Sequence, residues 1–226
     1  MAQNRTSDET PEKDRIRTQG IVRMSPNPSP GSSYDSQAKI LSERYESLDF
    51  STVNGWLLPF LPPSCGSALD VGAGSGRDAQ GLVDRGFNVV AVEPSSQMRK
   101  EGQTRHPDPG ILWMDDSLPE LKTLASRGPS FDLILLSAVW MHVSPRDRPR
   151  AFTNLVSLLK PAGILAMTLR QGPADPDRPM FDTSVEEVED LARAHGLSYL
   201  HSGTEPDRLG RPEITWHHLV LSFPRK

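Results

Sequence analysis

The sequence predicts an α/β domain, a three-layer αβα sandwich around a doubly wound, mostly parallel sheet. Five short runs rich in Val, Ile and Leu have the continuous hydrophobicity of strands that are buried on both faces. Helix-like stretches alternate with these runs, which indicates a parallel sheet covered by helices on both sides. Three closely spaced glycines follow the first run directly, where the helix N-terminus offers free N–H groups to a ligand.

Two helices are predicted before the first strand. Residues 36–48 carry apolar side chains at spacings of three and four, which form one face of a helix. Residues 51–61 indicate a second, shorter helix with Ser51 as its N-cap. Both helices precede the sheet and lie next to its first strand in the chain.

The strands and the helices between them follow in regular alternation. The predicted strands are SALDV, NVVAVE, ILWM, FDLILLS and GILAMTL, residues 67–71, 88–93, 111–114, 131–137 and 163–169. The predicted helices between them are residues 76–86, 95–103, 118–126 and 144–160. Pro161 and Gly163 should stop the last of these helices.

The C-terminal part departs from this alternation. An irregular loop, residues 171–182, leads to a helix that Ser184 and Glu187 open as a capping box and Gly196 ends. Two strand-like segments follow, residues 197–203 and 213–223. Because the connection between them leaves no room for a crossover helix, we expect them to pair antiparallel.

Composition disfavours nucleic acid, membranes and metals as partners. The formal net charge is −4, so the chain has no overall positive field for a phosphate backbone. Its longest apolar run, residues 133–141, is far shorter than the about 20 residues of a membrane helix. The single cysteine, Cys65, cannot form an internal disulfide, and no Cys or His cluster has zinc spacing. We therefore expect a cytoplasmic, metal-free protein.

The chain is predicted to hold one domain, residues 34–226, after a disordered polar tail. Residues 1–33 are rich in charges, Ser and Pro, and they bury too little apolar surface to offset their ordering entropy. They contain no apolar run of a signal peptide, and their acidic residues argue against a transit peptide.

The segment ALDVGAGSGRDA predicts a cofactor-binding turn. Gly72, Gly74 and Gly76 allow a tight bend and a close approach to a ligand. A dinucleotide fingerprint would need Gly or Ala where this chain has Arg77, which disfavours an NAD-dependent oxidoreductase. Glu93 ends the next strand, where a carboxylate can accept hydrogen bonds from two ribose hydroxyls. Several adenosine-containing ligands fit this pattern.

Five segments in order resemble the motifs of class I S-adenosylmethionine-dependent methyltransferases: DVGAGSGRDA, VVAVEPSSQM, WMDDSLPEL, FDLILLSAVWMHV and LLKPAGILAMT. The resemblance covers residues 34–223. It implies a seven-stranded sheet with an antiparallel last strand, S-adenosylmethionine as cofactor, and methyl transfer to a nucleophile. In similar enzymes the helices before the first strand, here residues 34–61, fold over the cofactor as a lid.

The resemblance also implies a set of cofactor-binding residues: Asp70, Gly72, Gly74, Gly76, Arg77, Glu93, Pro94, Met98, Asp115, Asp116, Ser137, Ala138 and Arg44. Glu93 would bind the ribose, Pro94 and Met98 would flank the adenine, and Asp115 and Asp116 compete for the adenine amino group.

The remaining cofactor contacts lie around the methionine part. Asp70 and the three glycines would surround it, and Arg44 would pair with its carboxylate. Arg77 would bind that carboxylate or a substrate anion, and its alternative is a solvated helix arginine. Ser137 and Ala138 would border the sulfonium.

The substrate should lie at the rim of this cofactor site. The predicted substrate-binding residues are Tyr34, Tyr45, Trp140, Met141, Arg170 and Gln171. His142 suits a general base, since its unperturbed pKa is about 6.5, and its alternative is a packing role at the start of a helix. Arg170 and Gln171 end the fifth strand, where they could read a substrate carboxylate. His217 and His218 are both expected at the surface.

The acceptor is predicted to be a small molecule. DNA methyltransferases that modify amino groups carry a motif resembling (D/N/S)PP(Y/F), and cytosine-C5 enzymes carry a Pro-Cys nucleophile, whereas this chain has SAVW. Three alternatives stay open: transfer or cyclisation of the aminobutyrate arm of the same cofactor, a dinucleotide-dependent oxidoreductase, and a non-catalytic module that senses the cofactor. A homodimer also stays open.

Overall fold

A seven-stranded mixed sheet forms the centre of the molecule. The computed structural model describes residues 32–62, 66–128 and 130–224, together with Met1. The strands are β1 Ser67–Val71, β2 Asn88–Val92, β3 Ile111–Met114, β4 Phe131–Leu136, β5 Leu159–Gln171, β6 Ser198–Pro206 and β7 Thr215–Ser222. Their order is β3-β2-β1-β4-β5-β7-β6, and β7 runs antiparallel to both its neighbours. The predicted fold class and the antiparallel last strand are confirmed.

Helices flank both faces of this sheet. They are α1 Ser32–Asp35, α2 Ala38–Glu46, α3 Phe50–Asn54, α4 Arg77–Val83, α5 Ser96–Arg105, α6 Lys122–Ala125, α7 Arg148–Ser157 and α8 Val185–Ala194. Two short 3₁₀ helices, Gly55–Phe60 and Trp140–His142, complete the described helical segments.

The central strand β4 shows why the apolar runs are continuous. Leu133 and Leu135 belong to the core layer under α3 and α4, whereas Ile134 and Leu136 belong to the layer under α7 and α8. All four side chains are fully buried. Because both faces of a parallel strand are covered, neither face can carry polar residues.

The helix before the first strand begins earlier than predicted. The N-cap is Asp49, whose carboxylate accepts a hydrogen bond from Thr52 N at 2.6 Å, so the assignment of Ser51 as N-cap is wrong. The predicted helix 51–61 is also divided into α3 and a 3₁₀ helix, Gly55–Phe60. Pro59 lies inside the second part and lacks the N–H that a continuing α-helix would use.

Two predicted helices are shorter than expected. Within residues 118–126 only α6 is helical, because the Asp116 carboxylate bonds Leu124 N at 2.8 Å and holds the preceding chain in a loop. The predicted helix 144–160 ends at Ser157, and β5 starts at Leu159, which pairs with β4 before Pro161 is reached.

The predicted capping box of α8 is half formed. Ser184 Oγ accepts a hydrogen bond from Glu187 N at 3.0 Å, as expected. The Glu187 carboxylate instead binds the guanidinium of Arg148 at 2.6 Å, which ties α8 to α7. Gly196 follows the helix with a φ of +73°, so its predicted role in ending the helix is confirmed.

The predicted disordered tail, residues 1–33, lies outside the described residues except for Met1, Ser32 and Ser33, and the last two begin α1. Cys65 also lies outside them. In the described ranges no helix has both the length and the apolar character needed to cross a membrane. Within the same ranges no cluster of three or more His, Cys, Asp or Glu is arranged to hold a metal ion.

Candidate functional site

A cleft of about 1080 Å³ opens at the carboxyl ends of β1, β4 and β5. This is the edge at which open α/β sheets bind ligands. The glycine turn after β1 forms one end of the cleft, and α2 and the loop over residues 171–182 contribute to its walls. The hairpin between β6 and β7 also lines the cleft.

The glycine turn owes its shape to steric limits at two positions. Gly72 has a φ of +70°, and a Cβ there would lie 2.7 Å from Val139 Cγ2. Gly76 has a φ of +90°, and a Cβ there would lie 2.9 Å from the Trp113 ring, so Gly76 supports packing and does not line the cleft. Gly74 lines the cleft, and the nearest atom to a Cβ there would be 3.6 Å away.

Glu93 is held in place at the end of β2 by backbone amides. Its carboxylate accepts hydrogen bonds from Gly74 N at 2.9 Å and from Ser95 N at 2.8 Å. Burial raises the pKa of this carboxyl group, and the two N–H groups oppose that rise. Since an ionised carboxylate has about four acceptor sites, two remain for a ligand's hydroxyl groups. Glu93 lines the cleft.

Asp70 lies beneath the glycine turn and does not line the cleft. Burial, followed by the nearby charge of Asp78, raises the pKa of Asp70 well above its usual range. Asp70 Oδ2 has no hydrogen-bond partner among the described residues. Asp70 therefore lies below the floor of the cleft, which corrects the expectation that it contacts the methionine part of the cofactor.

Arg77 forms a two-pronged ion pair with its neighbour Asp78, with distances of 2.8 and 3.0 Å. A third N–H group of Arg77 reaches the carbonyl oxygen of Tyr45 at 3.2 Å. Burial opposes ionisation of Asp78, but Arg77 holds the pKa of this carboxyl group below its ordinary value. Arg77 lines the cleft, and its N–H groups are bonded to Asp78 and Tyr45, so its contact with an anionic ligand stays a prediction.

The predicted adenine walls both lie in the cleft. Met98 is almost fully buried, and its Sδ receives a long hydrogen bond from Ser42 Oγ at 3.8 Å. Pro94 lies beside it at the start of the turn that leads into α5. These residues give the cleft an apolar side next to Glu93.

The two predicted acidic contacts to adenine do not line the cleft. Asp115 has a side chain that is 71% exposed and pairs with Arg99 at 2.8 Å. The carboxylate of Asp116 accepts hydrogen bonds from the backbone N–H groups of Ser117 and Leu124. Both assignments are corrected, and Ser117 lines the cleft in their place together with Leu118.

The predicted sulfonium neighbours lie at the end of β4, and both line the cleft. Ala138 has a φ of +59°, which turns the chain sharply after Ser137. The backbone N–H of Ala138 donates to Thr168 Oγ1 at 2.8 Å, so β4 and β5 are joined at this point.

The rim of the cleft contains Met141 but not Trp140. Trp140 is fully buried, lies edge-on to Phe152 at 6.3 Å, and has the guanidinium of Arg148 5.9 Å from its ring. The 3₁₀ turn points this indole into the core, so its assignment to the substrate is wrong. Met141 is 4% exposed and lines the cleft.

Both ring nitrogens of His142 are hydrogen-bonded. Its Nδ1 lies 2.8 Å from the carbonyl oxygen of Pro179, and its Nε2 lies 2.8 Å from the hydroxyl of Tyr34. Because the carbonyl can only accept, Nδ1 carries the proton and Nε2 accepts from Tyr34. Burial and the charges of Arg178 and Arg170 lower the pKa of His142. A base at Nε2 therefore acts only when Tyr34 moves or relays the proton.

Arg178 was not identified from the sequence. It lies in the loop over residues 171–182 and forms an ion pair with Asp175. One of its N–H groups faces the hydroxyls of Tyr45 at 3.2 Å and Tyr34 at 3.4 Å. Burial raises the pKa of Tyr34, which keeps this phenol protonated. The sequence indicated this loop as a pocket wall but gave no signal for this arginine.

The two residues predicted to bind substrate at the end of β5 face different cavities. Arg170 lines the cleft, whereas Gln171 donates to the carbonyl oxygen of Thr183 at 2.6 Å and faces a small neighbouring cavity. The assignment of Gln171 to the main substrate site is corrected. Arg44 is exposed and, like Tyr45, lines the cleft from α2.

His218 is a cleft residue that the sequence analysis placed at the surface. It is 4% exposed, and its ring stacks on that of Trp56 at 4.7 Å. Burial lowers the pKa of His218 to about 4. His217 points the other way, is partly exposed, and bonds Thr204 Oγ1 at 2.9 Å. The two histidines point to opposite faces of β7, as predicted, but the prediction that His218 lies at the surface is wrong.

Comparison with known proteins places this geometry among methyltransferases. A family model described as a methyltransferase domain matches residues 69–167. The chain is 33% identical over 101 residues to an uncharacterized methyltransferase of Alkaliphilus oremlandii, covering 43% of each chain. It is 26% identical over 211 residues to glycine N-methyltransferase of Rattus norvegicus, covering 74% of this chain and 70% of the relative. The chain thus spans less than half the length of the first curated relatives that it matches.

A solved structure shares the same fold. The 1,6-didemethyltoxoflavin-N1-methyltransferase of Burkholderia thailandensis, with bound 1,6-didemethyltoxoflavin and S-adenosylhomocysteine, superposes with a TM-score of 0.60 at 17% identity. The match covers 84% of this chain and 90% of that protein.

Proposed function

Because the chain belongs to the class I S-adenosylmethionine-dependent methyltransferase family, we propose that it is an enzyme that methylates a small-molecule nucleophile. When bound, S-adenosylmethionine would supply an electrophilic methyl group that the nucleophile attacks in line, with S-adenosylhomocysteine as the by-product. The observation that carries the proposal is the position of Glu93, which lines the cleft beside the glycine turn with free acceptor sites.

The cleft fits the cofactor in size and in chemistry. Its volume of about 1080 Å³ is close to the upper end of the range of roughly 300–1,000 Å³ that is usual for small-ligand pockets, which supports binding of a ligand as large as the cofactor. Glu93 would hold the ribose hydroxyls, and Pro94 and Met98 would contact the adenine. Gly74 leaves room for a close backbone approach. Arg44 would face the cofactor carboxylate.

The chain contributes mainly by positioning and by excluding water. Effective molarities of about 10⁵–10⁸ M can arise when two reactants are held in the correct orientation. Ser137 and Ala138 would border the reacting methyl group at the end of β4. Tyr34, His142 and Arg178 join α1 to the loop over residues 171–182, which closes the cleft on one side.

The walls of the cleft favour a small acceptor. The cleft is lined by α2 and by the β6–β7 hairpin, so the acceptor must fit between these elements beside the cofactor. Two of the relatives above are named for small acceptors, glycine and 1,6-didemethyltoxoflavin. A cytoplasmic location and independence of nucleic acid and membranes stay predictions from composition, and the oligomeric state stays open.

The proposal is tested by product analysis. The purified protein is incubated with S-adenosylmethionine and pools of small amines, alcohols, thiols and acids, and the mixture is examined by mass spectrometry. We expect S-adenosylhomocysteine together with an acceptor that is heavier by one methylene. Enzyme-dependent methylthioadenosine would instead indicate transfer or cyclisation of the aminobutyrate arm. Cofactor binding without any product would indicate a sensing module, and either outcome would contradict methyl transfer.

A further inference from the structure

Arg170 lines the cleft from β5, which β4 separates from β1 and its glycine turn. It is close to the end of β5, opposite Trp216 of β7. Thr168, two residues earlier, points to the same face, and both residues line the cleft. Since Thr168 bonds Ala138 N, Arg170 is about 7 Å along the strand from the point where Ala138 would border the reacting methyl group.

The other arginines at this end of the cleft already have carboxylate partners. Arg178 pairs with Asp175, and Arg211 pairs with Asp207 at 2.5 Å. Arg170 donates one hydrogen bond to the carbonyl oxygen of Gly172 at 3.2 Å. Within the described ranges, no ion pair involves Arg170. Its guanidinium therefore retains free N–H groups that face the cleft.

The surroundings of Arg170 carry a surplus of positive charge. Four guanidiniums line this part of the cleft, those of Arg170, Arg178, Arg208 and Arg211. Three carboxylates, those of Asp175, Glu205 and Asp207, pair with the last three of them. Burial, and then the charges of Arg211 and Arg178, lower the pKa of Arg170, and Asp175 and Asp207 oppose this change. An anion beside Arg170 would neutralise the surplus charge.

We propose that Arg170 binds a carboxylate group of the acceptor, so that the substrate is a small carboxylic acid whose nucleophile reaches the end of β4. This inference rests on the proposed function. A guanidinium fork matches a carboxylate with two parallel hydrogen bonds. A monoanion also matches this surplus charge, whereas a dianionic phosphate would exceed it.

The test compares acids with their neutral counterparts. The probes are amino, hydroxy and thiol acids, the primary amide of each, and the matching phosphate monoesters. Turnover is measured as S-adenosylhomocysteine formation, and binding is measured by calorimetry on protein saturated with S-adenosylhomocysteine. The variants are Arg170→Gln, which removes the charge, Arg170→Lys, which keeps the charge without the fork, and Arg193→Gln on the exposed surface of α8 as a control.

We expect the wild type to prefer an acid over its amide. Arg170→Gln should lower kcat/KM for that acid by about 10- to 150-fold, mainly through KM, because a charged hydrogen-bond pair is lost. The kcat/KM of Arg170→Lys should lie between those of the wild type and Arg170→Gln. The kcat/KM of Arg193→Gln should equal that of the wild type. All variants should bind S-adenosylhomocysteine equally well.

Three results would overturn the inference while leaving the proposed function intact: equal use of acids and amides, preference for phosphate monoesters, or an unchanged Arg170→Gln enzyme. Absence of any acid binding to the S-adenosylhomocysteine complex would overturn it as well. Failure of the wild type to bind S-adenosylhomocysteine at all would instead contradict the proposed function, and this inference with it.

Discussion

The hydroxyl of Tyr34 lies 2.8 Å from Nε2 of His142, although the two residues are 108 positions apart in the chain. The contact joins α1, before the sheet, to the 3₁₀ turn after β4. His142 continues the connection to the carbonyl oxygen of Pro179. One imidazole therefore links the N-terminal helices to the loop over residues 171–182, and both of these segments border the cleft.

Replacing Tyr34 with Phe should loosen this closure. The change leaves His142 Nε2 without its donor, and an unpaired group of this kind costs about 1–3 kcal/mol. Faster amide hydrogen exchange is expected in α1 and α2, with β1 and β4 unchanged. Tyr199→Phe, which removes a hydroxyl bonded to the carbonyl oxygen of Val185, is the matched control. If α1 and α2 exchange at the same rates in Tyr34→Phe and in the wild type, the contact between Tyr34 and His142 does not hold these helices.

His142→Ala tests whether the imidazole acts as a base. If it does, turnover should fall by about 10²- to 10⁴-fold while affinity for S-adenosylmethionine stays the same. Since the pKa of His142 is lowered, the base form is already present at neutral pH, and the wild-type rate should fall only below pH about 6.5. His217→Ala, a partly exposed histidine of β7, provides the control. Equal turnover by His142→Ala would leave His142 with a packing role.

His218 should make folding stability depend on pH. Its folded pKa of about 4 lies below the unfolded value near 6.5, so its contribution is complete above pH 6.5 and is lost as pH falls towards 4. The loss should amount to a few kcal/mol at most at pH 4, because solvent screening reduces the effect for a ring that lines an open cleft. His218→Phe, which can keep the stack on Trp56, should flatten this part of the profile in urea unfolding, whereas His217→Gln should not. A wild-type stability that is constant from pH 6.5 to 4 would refute burial of a neutral His218.

Glu93→Gln should weaken cofactor binding and leave the fold intact. If Glu93 binds the ribose as proposed, loss of its charge should raise the Kd of S-adenosylmethionine by about 10-fold or more. Asp115→Asn is the matched control, because Asp115 is exposed and bonded to Arg99 outside the cleft. Circular dichroism checks that both variants fold. Equal weakening by both changes would restore the adenine contact that the sequence suggested for Asp115.

The strands themselves could be predicted because parallel strands require continuous apolar runs, and β4 illustrates this with three leucines and one isoleucine buried in succession. The glycine turn and Glu93 could be predicted for a similar reason. Their positions depend on local backbone geometry, at Gly72 and Gly76 above all, and such geometry is visible in the adjacent sequence.

Contacts set by tertiary placement could not be predicted in this way. Asp115 and Asp116 are equivalent in sequence, and only the fold of the loop before α6 turns both away from the cleft. Trp140 follows the same strand end as Ala138, yet a single 3₁₀ turn directs it into the core. Arg178 reaches Tyr34 across 144 residues, a separation that no local pattern encodes.

The most direct test of the account is a binding measurement on the full chain with S-adenosylmethionine and, separately, with NAD. Ligand at about 100 times its Kd should stabilise the folded state by roughly 2.7 kcal/mol, which is visible as a rise in Tm. We predict this rise with S-adenosylmethionine and none with NAD. Stabilisation by NAD alone would contradict the account and would identify the glycine turn as a dinucleotide site.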